Sequence, residues 1–332
     1  MRFAMKTIAV EEAVGTILCQ DITRIVPGEF KGPVFRKGHV VTEEDIPVLL
    51  DVGKEHLYVY EPQPGMVHEN DAAWRIVRCA VGGNLHCSDP KEGRINITAE
   101  CDGLFCVDED LLFTLNSLGE ITMATQRGNI RVRKGESVAA TRVTPLVIEE
   151  AALAAMEAAV QRPILQVLPF AQPAIGIVTT GSEVEKGRIK DGFGPVLRAR
   201  FEDLGCPVHG QAFTGDDAER TAEAIRKFAA EGCGMICVTG GMSVDPDDRT
   251  PLAIRLSGAE IICYGSPVYP GAMFMLAYLQ GPQGPVPVLG LPGGVMFSSN
   301  SVFDVVVPRL LAGQRLEKAD ICRLGCGGLL KQ

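Results

Sequence analysis

From Pro173 onward the chain alternates between two kinds of apolar pattern. Short continuous runs come first: "AIGIVTTG" (174–181), "PVHGQAF" (207–213), "GMICVTGG" (234–241), "EIICYGSPV" (260–268), "MFMLAYL" (273–279) and "VPVLGLPGG" (286–294). They are too short for helices and are bounded by Gly, Pro and Asp, which predicts buried strands. Between or after them lie segments of helical periodicity: "FGPVLRARFEDLGC" (193–206), "DDAERTAEAIRKFAAEGC" (216–233), "TPLAIRLSGA" (250–259) and "SVFDVVVPRLLAG" (301–313). Strands alternating with helices predict a three-layer α/β domain over 172–315, a largely parallel sheet with helices on both faces. Ligands in such folds bind beyond the carboxyl ends of the strands.

The first half reads differently. Residues 1–62 predict a small α/β module, in which "TIAVEEAVGTILCQDIT" (7–23) has an acidic helix start. "VTEEDIPVLLDVG" (41–53) is a short capped helix ending at Gly53, and "HLYVYE" (56–61) is a strand. "EPQPGM" (61–66) breaks the pattern. Residues 63–147 open with a helix, "ENDAAWRIVRCAVG" (69–82), and continue as a β-rich domain. Its short strands are "RINITAEC" (94–101), "GLFCVDE" (103–109), "ITMATQR" (121–127), "NIRVRKG" (129–135) and "SVAATRV" (137–143). A linking helix, "IEEAALAAMEAAVQ" (148–161), and a strand fill 148–171. Residues 316–332 are expected to form a strand or a loose tail.

Composition then narrows the partners. The chain has 332 residues, 46% hydrophobic and 22% charged, with net charge −9, so nucleic acid and acidic membrane surfaces are poor partners. No apolar run approaches the roughly 20 residues that span a bilayer. The N-terminus lacks the pattern of a secretory signal. Eleven cysteines without such a signal are expected to be free thiols in a reducing cytoplasm. None is paired at C-x-x-C spacing, so buried thiols are preferred to a metal site, and Cys233, Cys237 and Cys263 fall in or beside apolar strand-like runs. The five histidines are scattered and suggest no metal constellation.

Four loops then gather at the predicted strand ends: 179–192, 214–219, 238–251 and 291–295. Each carries glycine, hydroxyl or carboxylate groups. "VTGGMSVDPDDRTP" (238–251) raises a difficulty, because a glycine-rich loop shaped to approach a phosphate also holds Asp245, Asp247 and Asp248. Any one such loop is explained by turn chemistry alone; four at equivalent ends point to a site. Plainer roles exist for individual residues. Asp216 or Asp217 suits a helix cap, Asp245 before Pro246 suits a turn, and Arg188, Lys190 and Arg249 suit ion pairs with nearby acids.

These four segments, in this order over about 172–315, resemble the molybdopterin-binding domain of molybdenum cofactor biosynthesis proteins. Those segments are "GIVTTGSEVEKGRIKD", "FTGDDAERTAEAI", "VTGGMSVDPDDRTP" and "PVLGLPGGVMF". "VEEAVGTILCQDIT" and "FRKGHVVTEEDIPVLLDVGKEHLYVYE" are similar to segments of the gephyrin/MoeA-like molybdotransferases, without that family's large intervening domains. The resemblance implies molybdopterin or its adenylylated form as ligand, with molybdate or tungstate insertion as the activity, and a homo-oligomer. It implies Thr180, Gly181, Ser182, Glu183 and Asp191 in the first loop, with Gly240, Gly241 and Ser243 cradling the ligand. Pro270, Gly271, Pro292 and Gly293 match two further ligand-binding elements. Asp217 (or Asp216) and Asp248 match the catalytic acids, and Mg²⁺ held between them and a phosphate resolves the charge difficulty. Two departures stand out. Ala272 replaces the family lysine that holds the anion, and Gly294-Val295 replaces Asn-Pro. Two other readings are a nucleotide pyrophosphatase of the competence-damage-inducible type, whose loop "DPDDRT" fits, and a non-catalytic molybdopterin carrier or sensor.

Overall fold

The computed structural model describes residues 6–26, 30–59, 64–243, 245 and 248–329. The chain divides into two compact units. One comprises the residues up to 100 with 106–128 and 134–167, and the other comprises 101–105, 129–133 and everything from 168.

The second unit is built on six strands: β1 (Ile175–Thr180), β2 (Val208–Gly215), β3 (Met235–Thr239), β4 (Glu260–Tyr264), β5 (Met275–Gly281) and β6 (Gly284–Leu291). Their order in the sheet is β2-β1-β3-β6-β5-β4. β1 runs parallel to β2 and β3, and β3 parallel to β6. β5 is antiparallel to both its neighbours. That exception has a local cause: β5 and β6 are separated by two residues, enough for a hairpin and far too few for a crossover helix.

Helices α1 (Phe193–Asp203) and α4 (Val302–Leu311) cover one face, and α2 (Ala218–Ala230) and α3 (Thr250–Leu256) the other. Alternate strand residues serve the two cores. Ile175, Ile177, Met235, Cys237 and Leu289 pack with Phe201 and Phe303. Val178, Ile236, Val238 and Val288 pack with Ile225, Phe228 and Ile254. A sheet dry on both faces needs apolar residues at every position, which is why these strands read as continuous runs. Cys233, Cys237 and Cys263 lie buried among them, and burial pushes each thiol's pKa up. Residues Lys318–Arg323, expected as strand or tail, form a helix, α5. Glu317 and Asp320 make a capping box at its start, and Leu316 and Ile321 are buried in the α1/α4 core.

In the first unit, Leu85–Cys87, Arg94–Ala99, Ser137–Val143 and Ile121–Thr125 form an antiparallel sheet in that spatial order. The helix Glu69–Ala80 contacts it. The helix expected near Glu11 is instead a strand, Lys6–Ala9, followed by a single 3-10 turn, Val10–Glu12. Val10 and Ala13 are buried in a small core, and Gly15 turns the chain at φ +80° before a second helical turn can form. The helix Asp45–Asp51 and the strand His56–Val59 lie where expected; Tyr60 and Glu61 fall outside the described residues. The run expected as strand through Glu109 stops earlier. Asp108 accepts Leu111 N at 3.0 Å and caps a helix, Glu109–Asn116. Among the described residues no helix is long and apolar enough to cross a membrane.

Candidate functional site at the strand ends

β1, β2, β3, β4 and β6 all point the same way, so the loops that follow them share one rim. At its centre is a set of threonine hydroxyls. Thr180, the last residue of β1, is buried and donates its hydroxyl to the Thr239 carbonyl at 3.2 Å. Its Oγ1 lies 3.3 Å from that of Thr250, which donates to the Gly240 carbonyl at 2.7 Å. Thr250 N also donates to the Gly241 carbonyl at 3.2 Å. These bonds fasten β1, β3 and the start of α3 to one another. They force the glycine pair: Gly240 has φ +84°, and a Cβ there would lie 2.7 Å from the Thr180 carbonyl oxygen.

Around this centre four aspartates are held by backbone amides. Asp216 Oδ2 accepts Ser182 N at 3.1 Å, joining the loop after β2 to the one after β1. Asp217 Oδ1 accepts Glu219 N and Arg220 N at 3.0 and 3.2 Å and so caps α2. Asp248 Oδ2 accepts Ser243 N at 2.7 Å within the third loop. Tyr264, at the end of β4, donates its hydroxyl to the Met242 carbonyl at 3.1 Å. Burial, and then the charge of Asp248, raise its pKa. Asp191 is the most heavily engaged. Its Oδ1 takes Phe193 N and Gly194 N at 2.9 and 3.1 Å, while its Oδ2 takes the Gln211 amide at 2.6 Å. It therefore anchors the start of α1 to β2.

A cleft of about 600 Å³ opens here, lined by Ser182, Lys186, Asp216, Asp217, Arg249 and neighbouring residues. A small recess beneath it is lined by Thr180, Gly215, Asp217 and Thr250. Glu183 is exposed, with its carboxylate 2.9 Å from where a Cβ on Gly181 would lie. Arg220 is paired with Glu185 at 2.6 Å. Arg249 and Lys186 make no ion pair among the described residues. Nor, among those residues, does any group of three His, Cys, Asp or Glu come together as a ready-made metal cage.

The remaining positions implied by the resemblance, Pro270, Gly271, Pro292 and Gly293, form a second, uncharged cluster. Gly271 (φ +139°) is pressed against α4, where a Cβ would lie 2.4 Å from that of Val302. Val302 N donates to the Pro270 carbonyl at 3.0 Å. Pro292 and Gly293 accept Val295 N and Met296 N, opening the short helix Gly294–Phe297. A Cβ on Gly294 would lie 2.9 Å from Pro270 Cβ. The two departures from the expected pattern, at 272 and 294, thus belong to one crowded corner.

The sequence reading passed over Thr250, whose hydroxyl completes the centre, and Gln211, whose amide holds Asp191. Thr250 carried a usable signal, a hydroxyl immediately before the proline of a helix start. Gln211 carried none, since its role depends on β2 lying beside β1.

Residues 176–312 match the family described as "Probable molybdopterin binding domain". Residues 7–61 match a domain of unknown function, DUF8806. Over 195 residues the chain is 28% identical to a molybdopterin molybdenumtransferase of Synechococcus elongatus, covering 56% of this chain and 45% of that protein. Over 88 residues it is 36% identical to a CinA-like protein of a Mycobacterium species, covering 26% of this chain and 21% of that one. A solved MoaB structure from Pyrococcus furiosus, described as tungsten cofactor synthesizing, is 18% identical at TM-score 0.33, covering 37% of this chain and 84% of its own. The chain spans less than half the length of these curated relatives.

Proposed function

We propose that this chain binds a molybdopterin in molybdenum cofactor biosynthesis, on the footing that residues 176–312 match the probable molybdopterin binding domain family. The observation that carries the reading is the cleft at the strand ends, where Ser182, Asp216, Asp217 and Arg249 meet above the Thr180–Thr250 centre. Backbone amides and hydroxyls at glycine-rich strand ends suit a phosphate oxygen. Arg249 and Lys186, which make no ion pair among the described residues, supply positive charge that the uncharged corner at Ala272 lacks.

Mg²⁺ fits this donor set. The ion takes one or two carboxylates plus phosphate oxygens and waters, and does not need a three-acid cage. Asp217 and Asp248 each present a second carboxylate oxygen beyond the one bonded to backbone amides. Bound there, the ion would offset the charge between ligand phosphate and aspartates. In the finer form of the proposal the ligand is adenylylated molybdopterin, and molybdate or tungstate is inserted into it by a homo-oligomer in the cytoplasm. A second reading, nucleotide pyrophosphatase, draws on the similarity to the CinA-like protein and on the Ser243–Asp248 loop.

Calorimetric titration with molybdopterin and with ADP-ribose, with and without Mg²⁺, tests both readings. Asp248→Asn is the informative variant, because Asn can still accept Ser243 N but carries no charge. Molybdopterin binding that strengthens with Mg²⁺ and weakens at least tenfold in Asp248→Asn is expected. Cleavage of ADP-ribose selects the second reading, and binding of neither ligand overturns both.

A further inference from the structure

The first unit has a cleft of its own, of about 430 Å³, whose lining includes four cations, Lys31, Lys91, Arg94 and Arg142, and two acids, Asp89 and Glu92. Its charge arrangement is unusual in this chain. Arg94 and Arg142 are directly opposite each other on adjacent antiparallel strands, so both project from the same face. At such positions Cβ atoms are about 5 Å apart, and like charges destabilise the sheet. Neither arginine, nor Lys31 or Lys91, makes an ion pair among the described residues. Elsewhere Arg75, Arg131, Arg200, Arg220, Arg309 and Arg315 are all ion-paired.

The acids nearby do not cancel the cluster. Glu92 accepts a long hydrogen bond from Thr23 at 3.5 Å. Glu69 lies beneath the tight turn 91–94, with its Oε2 2.9 Å from where a Cβ on Gly93 would sit. It attracts Arg142, yet burial raises its pKa to about 7, so near neutrality it carries only part of a charge. The turn itself is fixed: Lys91 and Arg94 exchange backbone hydrogen bonds at 2.9 and 3.0 Å, and Gly93 N donates to Asn70 Oδ1 at 2.9 Å. Lys91 and Arg94 thus start from a fixed turn, and strand pairing holds the backbone of Arg142 opposite Arg94.

We propose that this cleft is a binding site for a tetrahedral oxyanion, either free or as the phosphoryl group of a small ligand, bracketed by Arg94 and Arg142. Two opposed guanidinium forks match phosphate oxygens and relieve the repulsion between them. Lys31 and Lys91 add positive charge to the lining, and Asn96 and Thr23 add neutral donors. The volume leaves space for an organic body beside one phosphoryl group. The site is independent of the one at the strand ends, and its test separates the two.

The full chain is titrated calorimetrically at low ionic strength with inorganic phosphate and with phenyl phosphate, using sodium chloride at matched ionic strength as control. The variants are the double replacement R94Q/R142Q and, at the other site, R249Q. Phosphate is expected to bind the native chain, at least tenfold more weakly to R94Q/R142Q, and to R249Q with the first unit's affinity retained. Tighter binding of phenyl phosphate assigns the site to a phosphoryl ligand, and equal or weaker binding to a free oxyanion. Without phosphate, R94Q/R142Q is expected to melt at or above the native temperature, since the repulsion it loses outweighs the attraction of Arg142 to a partly charged Glu69. Equal phosphate affinity in R94Q/R142Q overturns the proposal, as does loss confined to R249Q, an effect reproduced by chloride, or a fall in the variant's melting temperature.

Discussion

The acids of the strand-end rim and the acid buried in the first unit are held in opposite ways. Asp191, Asp216, Asp217 and Asp248 each accept at least one backbone N–H. Asp216 and Asp217 are exposed, and Asp191 and Asp248 are half-buried. Glu69 is 6% exposed and receives no hydrogen bond on its carboxylate among the described residues. Burial is the largest influence on it; Arg142 and Lys37 pull its pKa down, Glu92 and Asp21 push it up, and it settles at about 7. The difference is one of donors: each rim aspartate has backbone amides directed at its oxygens, while Glu69, though deeply buried, has none among the described residues.

The sharpest way to break this comparison is Glu69→Gln. A carboxyl whose folded pKa is raised from 4.5 to about 7 binds more protons folded than unfolded between those values. Its contribution to stability therefore falls as pH rises through that window and is flat above it. Removing the charge is expected to stabilise the first unit at pH 8 by up to about 3 kcal/mol, and to change little at pH 4. Urea denaturation of native and variant chains at both pH values measures it. Equal stability at pH 8 would mean Glu69 finds a compensating partner, and the contrast with the rim would fail.

Next in size is Asp191→Ala, which strips two amides at the start of α1 and the Gln211 side chain of their acceptor. A cap and a buried side-chain bond together are expected to cost about 2 kcal/mol. Asp191→Asn is expected to recover most of the cap but not the link to Gln211, whose amide would then face a rotatable amide in place of a charge. Ligand affinity measured in the same two variants reveals whether Asp191 also touches ligand. A loss in both that exceeds the stability effect would place it in the site.

How far the sequence alone foretold all this depends on whether the cause was local. The α/β unit was legible because its central strands β1 and β3 are buried at every position and each helix has its own periodicity. The strand-end loops follow directly from that alternation. Antiparallel β5 could be foreseen only by noting that two residues cannot hold a crossover. The helices Glu109–Asn116 and Lys318–Arg323 were missed because their evidence is a cap, at Asp108 and Glu317, beside short apolar runs that read equally well as strand. In the site, Thr180, Ser182, Asp217 and the glycine pair carry their signal in adjacent residues. The grip of Gln211 on Asp191, and the opposition of Arg94 to Arg142, are properties of strand pairing and are visible only once register is fixed.

The smallest stability effect bears most directly on the rim's purpose. Asp217 has two separable roles, accepting amides at the head of α2 and supplying negative charge to the cleft. Alanine removes both and is expected to cost about 1 kcal/mol. Asparagine caps as well as aspartate, so Asp217→Asn is expected to change stability by only a few tenths of a kcal/mol. Any loss of Mg²⁺-dependent ligand binding in Asp217→Asn is therefore a loss of charge at one oxygen, uncomplicated by fraying of the helix. If Asp217→Asn binds with undiminished Mg²⁺ dependence while Asp248→Asn does not, the cation sits on the third loop alone and Asp217 is a cap. If both lose it, the two loops share the ion, and the aspartates beside a phosphate-shaped loop have their explanation.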